Sequence, residues 1–162
     1  MFSLYNRKNI IILALISFLI LFIQINLPSI FIFGENEINL DLFLVYLTFL
    51  IFLVKDTYKV IILAFLYGLI QDIIINIEQL GILSFIKILT VFLISYVLKY
   101  ATIWKWKIKL LYIFLMYFIH FFIYYIIIYL EIYIAVLFVG FIQASLCIII
   151  FALLNKLLFK IK

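Results

Sequence analysis

Six apolar runs follow one another along this chain of 162 residues, and they leave it little choice of fold. They extend over 10–33, 38–54, 60–77, 82–98, 110–130 and 132–155, separated by short linkers except at 99–109. A helix that crosses a bilayer needs about 20 apolar residues. Soluble domains carry about 25% charged residues; this chain carries 12%, with 72% hydrophobic, too little polar surface for a water-soluble globule. The expected fold is therefore an all-α integral membrane protein, folded as one polytopic domain. The first run follows Arg7 and Lys8 as a signal peptide would, but it is too long and lacks a small-residue cleavage site. It reads as a retained helix, with Pro28 near its outer end.

Charge placement sets the orientation. The uncharged part of the second run, 42–54, has only 13 residues, short for a span. Lys- and Arg-rich loops stay in the cytoplasm. With six spans and both termini cytoplasmic, eleven of the twelve basic residues lie inside, among them Lys55, Lys59, Lys99, Lys105, Lys107, Lys109, Lys156, Lys160 and Lys162. The outer loops then hold Glu35, Glu37, Asp41, Glu78 and Glu131 and no cation. Removing the second span would put the Lys99–Lys109 cluster outside. The same placement explains the net charge of +5: Trp104, Lys105, Trp106 and Lys107 suit a lipid interface, not nucleic acid.

Two charges remain within spans, Asp72 and Lys87. Such charges face other helices and find partners. The two lie equally far from the turn between Gln79 and Leu80, each roughly 7 Å below its helix end, and the expectation is an ion pair. Ala64, Gly68, Asp72 and Asn76 recur every four residues as one small and polar stripe; Ser84, Lys87 and Thr90, with Ser95 beyond, mark a matching face. This face either only holds a hairpin together or also meets a partner protein. In the last hairpin His120 and Gln143 lie at nearly equal depth about Glu131. A proton carrier or metal ligand at His120 would want a second His or a nearby carboxylate, and neither is expected there. A neutral imidazole bonded to Gln143 or a tyrosine is the reading adopted. Cys147 stands alone, so no disulfide framework or thiol metal site arises. No Walker loop, GxGxxG, HExxH, CxxC pair or nucleophile elbow occurs, so neither catalysis nor a cofactor is expected.

The middle of the chain, over about 39–100, resembles the rod shape-determining MreD family of small bacterial inner-membrane proteins. That family tends to show Pro-Asp-Leu before its second helix. Its third helix reads small residue, Phe, two residues, Gly-Leu, two residues and Asp, with Leu-Gly soon after. Here the residues are Leu40-Asp41-Leu42, then Ala64-Phe65, Gly68-Leu69 and Asp72, then Leu80-Gly81, with Leu40 in place of the usual Pro. The resemblance implies a non-catalytic scaffold of the cell-elongation machinery in the bacterial cytoplasmic membrane. It would act beside an MreC-like membrane-anchored protein, linking MreB filaments to the peptidoglycan synthase and transpeptidase. Gly68, Asp72, Lys87, Asp41, Gly81, His120 and Gln143 are the candidate structural or partner-facing residues. Self-association is left open. The rival is the substrate-capture subunit of an energy-coupling-factor vitamin transporter, also six-spanned and of this size. Such a subunit would want an outward polar pocket and an Ala-x-x-x-Ala motif on its first helix, where this chain has Ala14 and then Phe18.

Overall fold

The computed structural model describes residues 7–27, 30–32, 36–38, 40–54, 56–75, 80–100, 103–129 and 134–159. Pro28, Glu35, Lys55, Asn76, Glu78, Gln79, Glu131, Lys160 and Lys162, all invoked above, lie outside the described residues. The described residues form six α-helices, α1 (Arg7–Asn26), α2 (Leu42–Leu53), α3 (Thr57–Ile75), α4 (Ile82–Tyr100), α5 (Trp106–Tyr129) and α6 (Ile134–Leu154), closed by a π-helical turn, Asn155–Phe159.

The first two runs depart from expectation at their facing ends. Leu27 already bends out of α1, as a residue before proline disfavours α backbone. Strand β1 (Ile30–Ile32) instead pairs antiparallel with β2 (Asn36–Ile38), Ile30 opposite Ile38. Apolar runs rich in Ile and Phe suit strand as well as helix, and hydropathy alone does not separate the two. Asp41 then starts α2 as its N-cap, accepting from the Leu44 N–H at 2.9 Å. Ser, Thr, Asp and Asn are favoured there because a side-chain oxygen satisfies an amide that has no helical partner.

α2 has only 12 residues, about 18 Å of helix, and it is the centre of the bundle. Eight consecutive residues, Phe43 to Leu50, are buried, as befits a helix that is apolar all round. α1, α3, α4 and α6 surround it. One side of α2 (Leu44, Val45, Phe49) packs into a core with Ile113, Tyr117 and Phe151 of α5 and α6. The other (Phe43, Leu47, Leu50) packs with Val60, Ala64 and Tyr67 of α3. Two closely packed hairpins, α3–α4 and α5–α6, flank it.

Four helical stretches, Thr57–Ile74, Ile82–Tyr100, Trp106–Ile128 and Ile134–Leu157, are long and apolar enough to cross a membrane. Large apolar side chains also face outward from several helices, among them Phe18, Phe22, Phe85, Phe138 and Phe141. A soluble monomer does not expose apolar surface on that scale. The chain is a helical membrane protein.

Candidate functional site

The expected polar faces of α3 and α4 are buried as read: Ala64, Gly68 and Asp72 on one, Ser84, Lys87, Thr90 and Ser95 on the other. Their charges, however, do not pair with each other. Asp72 Oδ2 accepts from the backbone N–H groups of Gly81 (3.0 Å) and Ser84 (3.2 Å), and Oδ1 from that of Leu83 (3.1 Å). The first four amides of a helix lack partners within it and carry its positive dipole end. Asp72 therefore caps α4 from the neighbouring helix. Two glycines permit this. Gly68 lets the backbones touch: a Cβ added there would lie 2.4 Å from Ser84 Cα. Gly81 takes φ +98°, a left-handed turn that glycine adopts without strain. Matching depth did place Asp72 at α4, but its oxygens are committed to amides of the first turn, so the Asp72–Lys87 pair does not form.

Lys87 reaches α2 instead. Its Nζ lies 2.8 Å from Asp41 Oδ2, with the lysine fully buried. It also donates to Gln71 Oε1 and sits 5.6 Å from the centre of the Phe43 ring. Asp41 thus corrects a second expectation. Counted with the outer-loop acids and given no cation as partner, it is in fact 5% exposed and joins a cap to an ion pair. Buried charges are held by partners plus hydrogen bonds, and both are present here.

Every helix contributes to this hub. From α1, Gln24 brackets Asp41: its Nε2 donates to the Leu40 carbonyl, and its Oε1 accepts from the Leu42 N–H at 2.7 Å. Two turns earlier Ser17 donates to Tyr46, so Ser17 and Gln24 both dock α1 on α2. From α3 comes Gln71. From α5 comes His120, whose Nδ1 lies 3.0 Å from Thr90 Oγ1 and whose Nε2 lies 3.9 Å from Asp41 Oδ2. From α6, Cys147 Sγ lies 4.0 Å from the Asp41 carbonyl oxygen. The partner of His120 is thus Thr90, not Gln143 or a tyrosine, and a carboxylate does lie beside the imidazole. Gln143 Oε1 instead accepts from Tyr125 at 2.7 Å. Nearby, Tyr117 donates to Thr48 at 2.7 Å.

Asp41 also lines a cavity of about 30 Å³ shared with Gln24, Gln71, Tyr124, Tyr125 and Gln143. That is room for about two waters, given the 10–15 Å³ that one requires. Among the described residues no three His, Cys, Asp or Glu side chains converge as a metal-binding group would.

The seven candidate residues therefore fall into two assemblies and a neighbour. Gly68, Asp72 and Gly81 make the α3–α4 clasp; Asp41, Lys87 and His120 make the hub; Gln143 lines the adjoining cavity. Sequence reasoning overlooked Gln71, although an amide inside an apolar helix is itself a signal of interhelical bonding. It also overlooked the capping role of Asp41, whose position just before an apolar run is the usual sign of an N-cap. Compared with protein-family models, curated proteins and solved structures, the chain matches none.

Proposed function

We propose that the protein is a non-catalytic scaffold of the bacterial cell-elongation machinery, six-spanned in the cytoplasmic membrane with both ends inside. It would work with an MreC-like partner and, through it, with MreB filaments and the peptidoglycan synthase–transpeptidase pair. One observation carries the reading. Four of the residues that carry the MreD resemblance, Asp41, Gly68, Asp72 and Gly81, serve contacts between helices: Asp41 ties α2 to α4, and the other three clasp α3 to α4. A motif of that kind suits a protein whose output is a rigid shape. The two short elements fit six spans as well. α1 is 20 residues long, about 30 Å, and α2 needs less length because protein, not lipid, surrounds it.

The transporter reading would want a pocket for a vitamin-sized molecule. Ligand pockets usually measure about 300–1,000 Å³, whereas the polar cavity beside Asp41 holds about 30 Å³. Its carboxylate is already matched by Lys87.

Depletion in a rod-shaped host tests the function: rounded cells, unchanged vitamin uptake and co-purification of an MreC-like protein are expected. Normal rods, together with tight binding of a small molecule to the purified protein, would overturn the scaffold in favour of transport. Cysteine labelling tests the topology, with Glu35, Glu78 and Glu131 expected outside and Lys59 and Lys107 inside. A robust external signal at Lys107 would refute six spans.

A further inference from the structure

One buried atom in the hub is unmatched. His120 Nε2 has no hydrogen-bond partner, although the residue is 1% exposed. Buried polar atoms are nearly always bonded, so an orphan calls for a physical reason. The other ring nitrogen supplies one. Thr90 donates its single hydroxyl proton to the Ile86 carbonyl at 2.8 Å. Its oxygen, 3.0 Å from Nδ1, is therefore the acceptor of an Nδ1–H bond. A neutral His120 then carries its proton on Nδ1 and turns a bare lone pair at Nε2 toward Asp41 Oδ2, 3.9 Å away. Two acceptors face each other inside the bundle.

We infer that His120 and Asp41 form a proton-binding site, with Nε2 as the acceptor and Asp41, which lines the adjoining cavity, as the group between Nε2 and that cavity. The proton comes from the aqueous phase. An N–H bond forms at Nε2, no other covalent bond changes, and the Asp41–Lys87–His120 cluster goes from charge 0 (−1, +1, 0) to +1. The new Nε2–H points at Oδ2, 3.9 Å away, and donates to it once the ring closes that gap, while Oδ1 keeps the Leu44 amide and Lys87 keeps Gln71. Asp41, which in the neutral state pairs with α4 through Lys87, then binds α5 through His120 as well. Other titratable groups packed near the pair are the Cys147 thiol on α6 and, on α5, the Tyr117 hydroxyl engaged by Thr48 and the hydroxyls of Tyr124 and Tyr125, which line the cavity with Asp41. α3 contributes the neutral Gln71, and α1 the neutral Gln24. Ionisable groups within a membrane bundle commonly mark proton sites, and imidazole is the side chain whose charge changes most readily near neutrality.

His120 is the chain's single histidine, so ¹⁵N-histidine labelling of the full-length protein in lipid nanodiscs reports on it alone. Spectra taken from about pH 8 down to about pH 3 should begin with Nδ1 protonated and Nε2 bare and end with both protonated, since burial disfavours the charged imidazole. Asp41→Asn should cut the doubly protonated fraction at a given pH about tenfold or more, since an opposite charge at this range shifts a titration by about one to three units. Should that variant fail to fold, Lys87→Met gives the converse: the fraction should rise about tenfold as His120 becomes the cation facing Asp41. A neutral tautomer with the proton on Nε2 would overturn the site. So would the absence of a second proton down to about pH 3, or a fraction unmoved by either variant.

Discussion

Gly68→Ala is the sharpest test of how α3 meets α4. The new methyl would lie 2.4 Å from Ser84 Cα, 2.7 Å from Ser84 Cβ and 3.1 Å from Ser84 N. Non-bonded carbons settle at about 3.5–4.0 Å, and two of these three atoms are backbone. The helices must therefore part by about 1 Å or more. Overpacking of this kind costs about 1–3 kcal/mol. The clasp suffers next, because Asp72 sits one turn along the same face and its three amide bonds are already 3.0–3.2 Å long. Losing even one charged hydrogen bond adds about 1.5–3 kcal/mol. Alanine's better helix propensity returns about 1 kcal/mol, so the net loss should be about 2–5 kcal/mol by these terms. Gly140→Ala is the matched control: its Cβ would meet Phe122 N at 3.5 Å, an ordinary contact. There the change should be neutral or stabilising by up to about 1 kcal/mol. Unfolding of both variants in bicelles by steric trapping reads the difference. Equal effects of the same sign would refute the close approach and the clasp built on it.

Three further outcomes follow from the same contacts. Asp41→Leu or Lys87→Met alone should cost about 3–5 kcal/mol, and the double variant clearly less than their sum; the corresponding Asp72–Lys87 cycle should be additive, and a large coupling there would contradict the Asp41 pairing. Gln24→Leu should destabilise by about 1–3 kcal/mol, because it strands the Leu40 carbonyl and the Leu42 amide; unchanged unfolding would show that α1 docks by apolar contact alone. Gly81→Ala should lose about 1–2 kcal/mol from left-handed backbone, with no steric part since nothing lies within 4 Å; thermal unfolding in nanodiscs checks it.

Much of the fold was legible because lipid imposes a simple rule. Runs apolar enough for the bilayer became helices, and the four-residue stripe of Ala64, Gly68 and Asp72 did mark the face α3 turns to α4. The site was legible residue by residue but not in its pairings. Mirrored depth compares only the two helices of one hairpin, whereas Lys87 finds a carboxylate 46 residues earlier (41 to 87) on a different helix. Pairing charge with charge also omits backbone amides, which took all the bonding of Asp72 that the structure records. Asp41 was hidden by its place at the edge of an apolar run, where a cap and a loop residue look alike. β1 was hidden for a related reason: a continuous apolar stretch has no period to separate strand from helix.

The shortness of α2 bears on how the protein is made. A segment of 12 residues covers little more than half of a hydrocarbon core about 30 Å thick, and it begins with a carboxylate. Released alone into lipid it would partition poorly, since it falls well short of the roughly 20 apolar residues a spanning helix needs and carries an uncompensated carboxylate at its start. Its counter-ion, Lys87, leaves the ribosome only after all of α3. During that interval α1 is the one earlier helix able to shelter α2, through Ser17 and Gln24. Biogenesis must therefore keep the nascent α1–α2 pair together at the insertion site until α4 arrives, and a chain severed between α3 and α4 would leave α2 stranded.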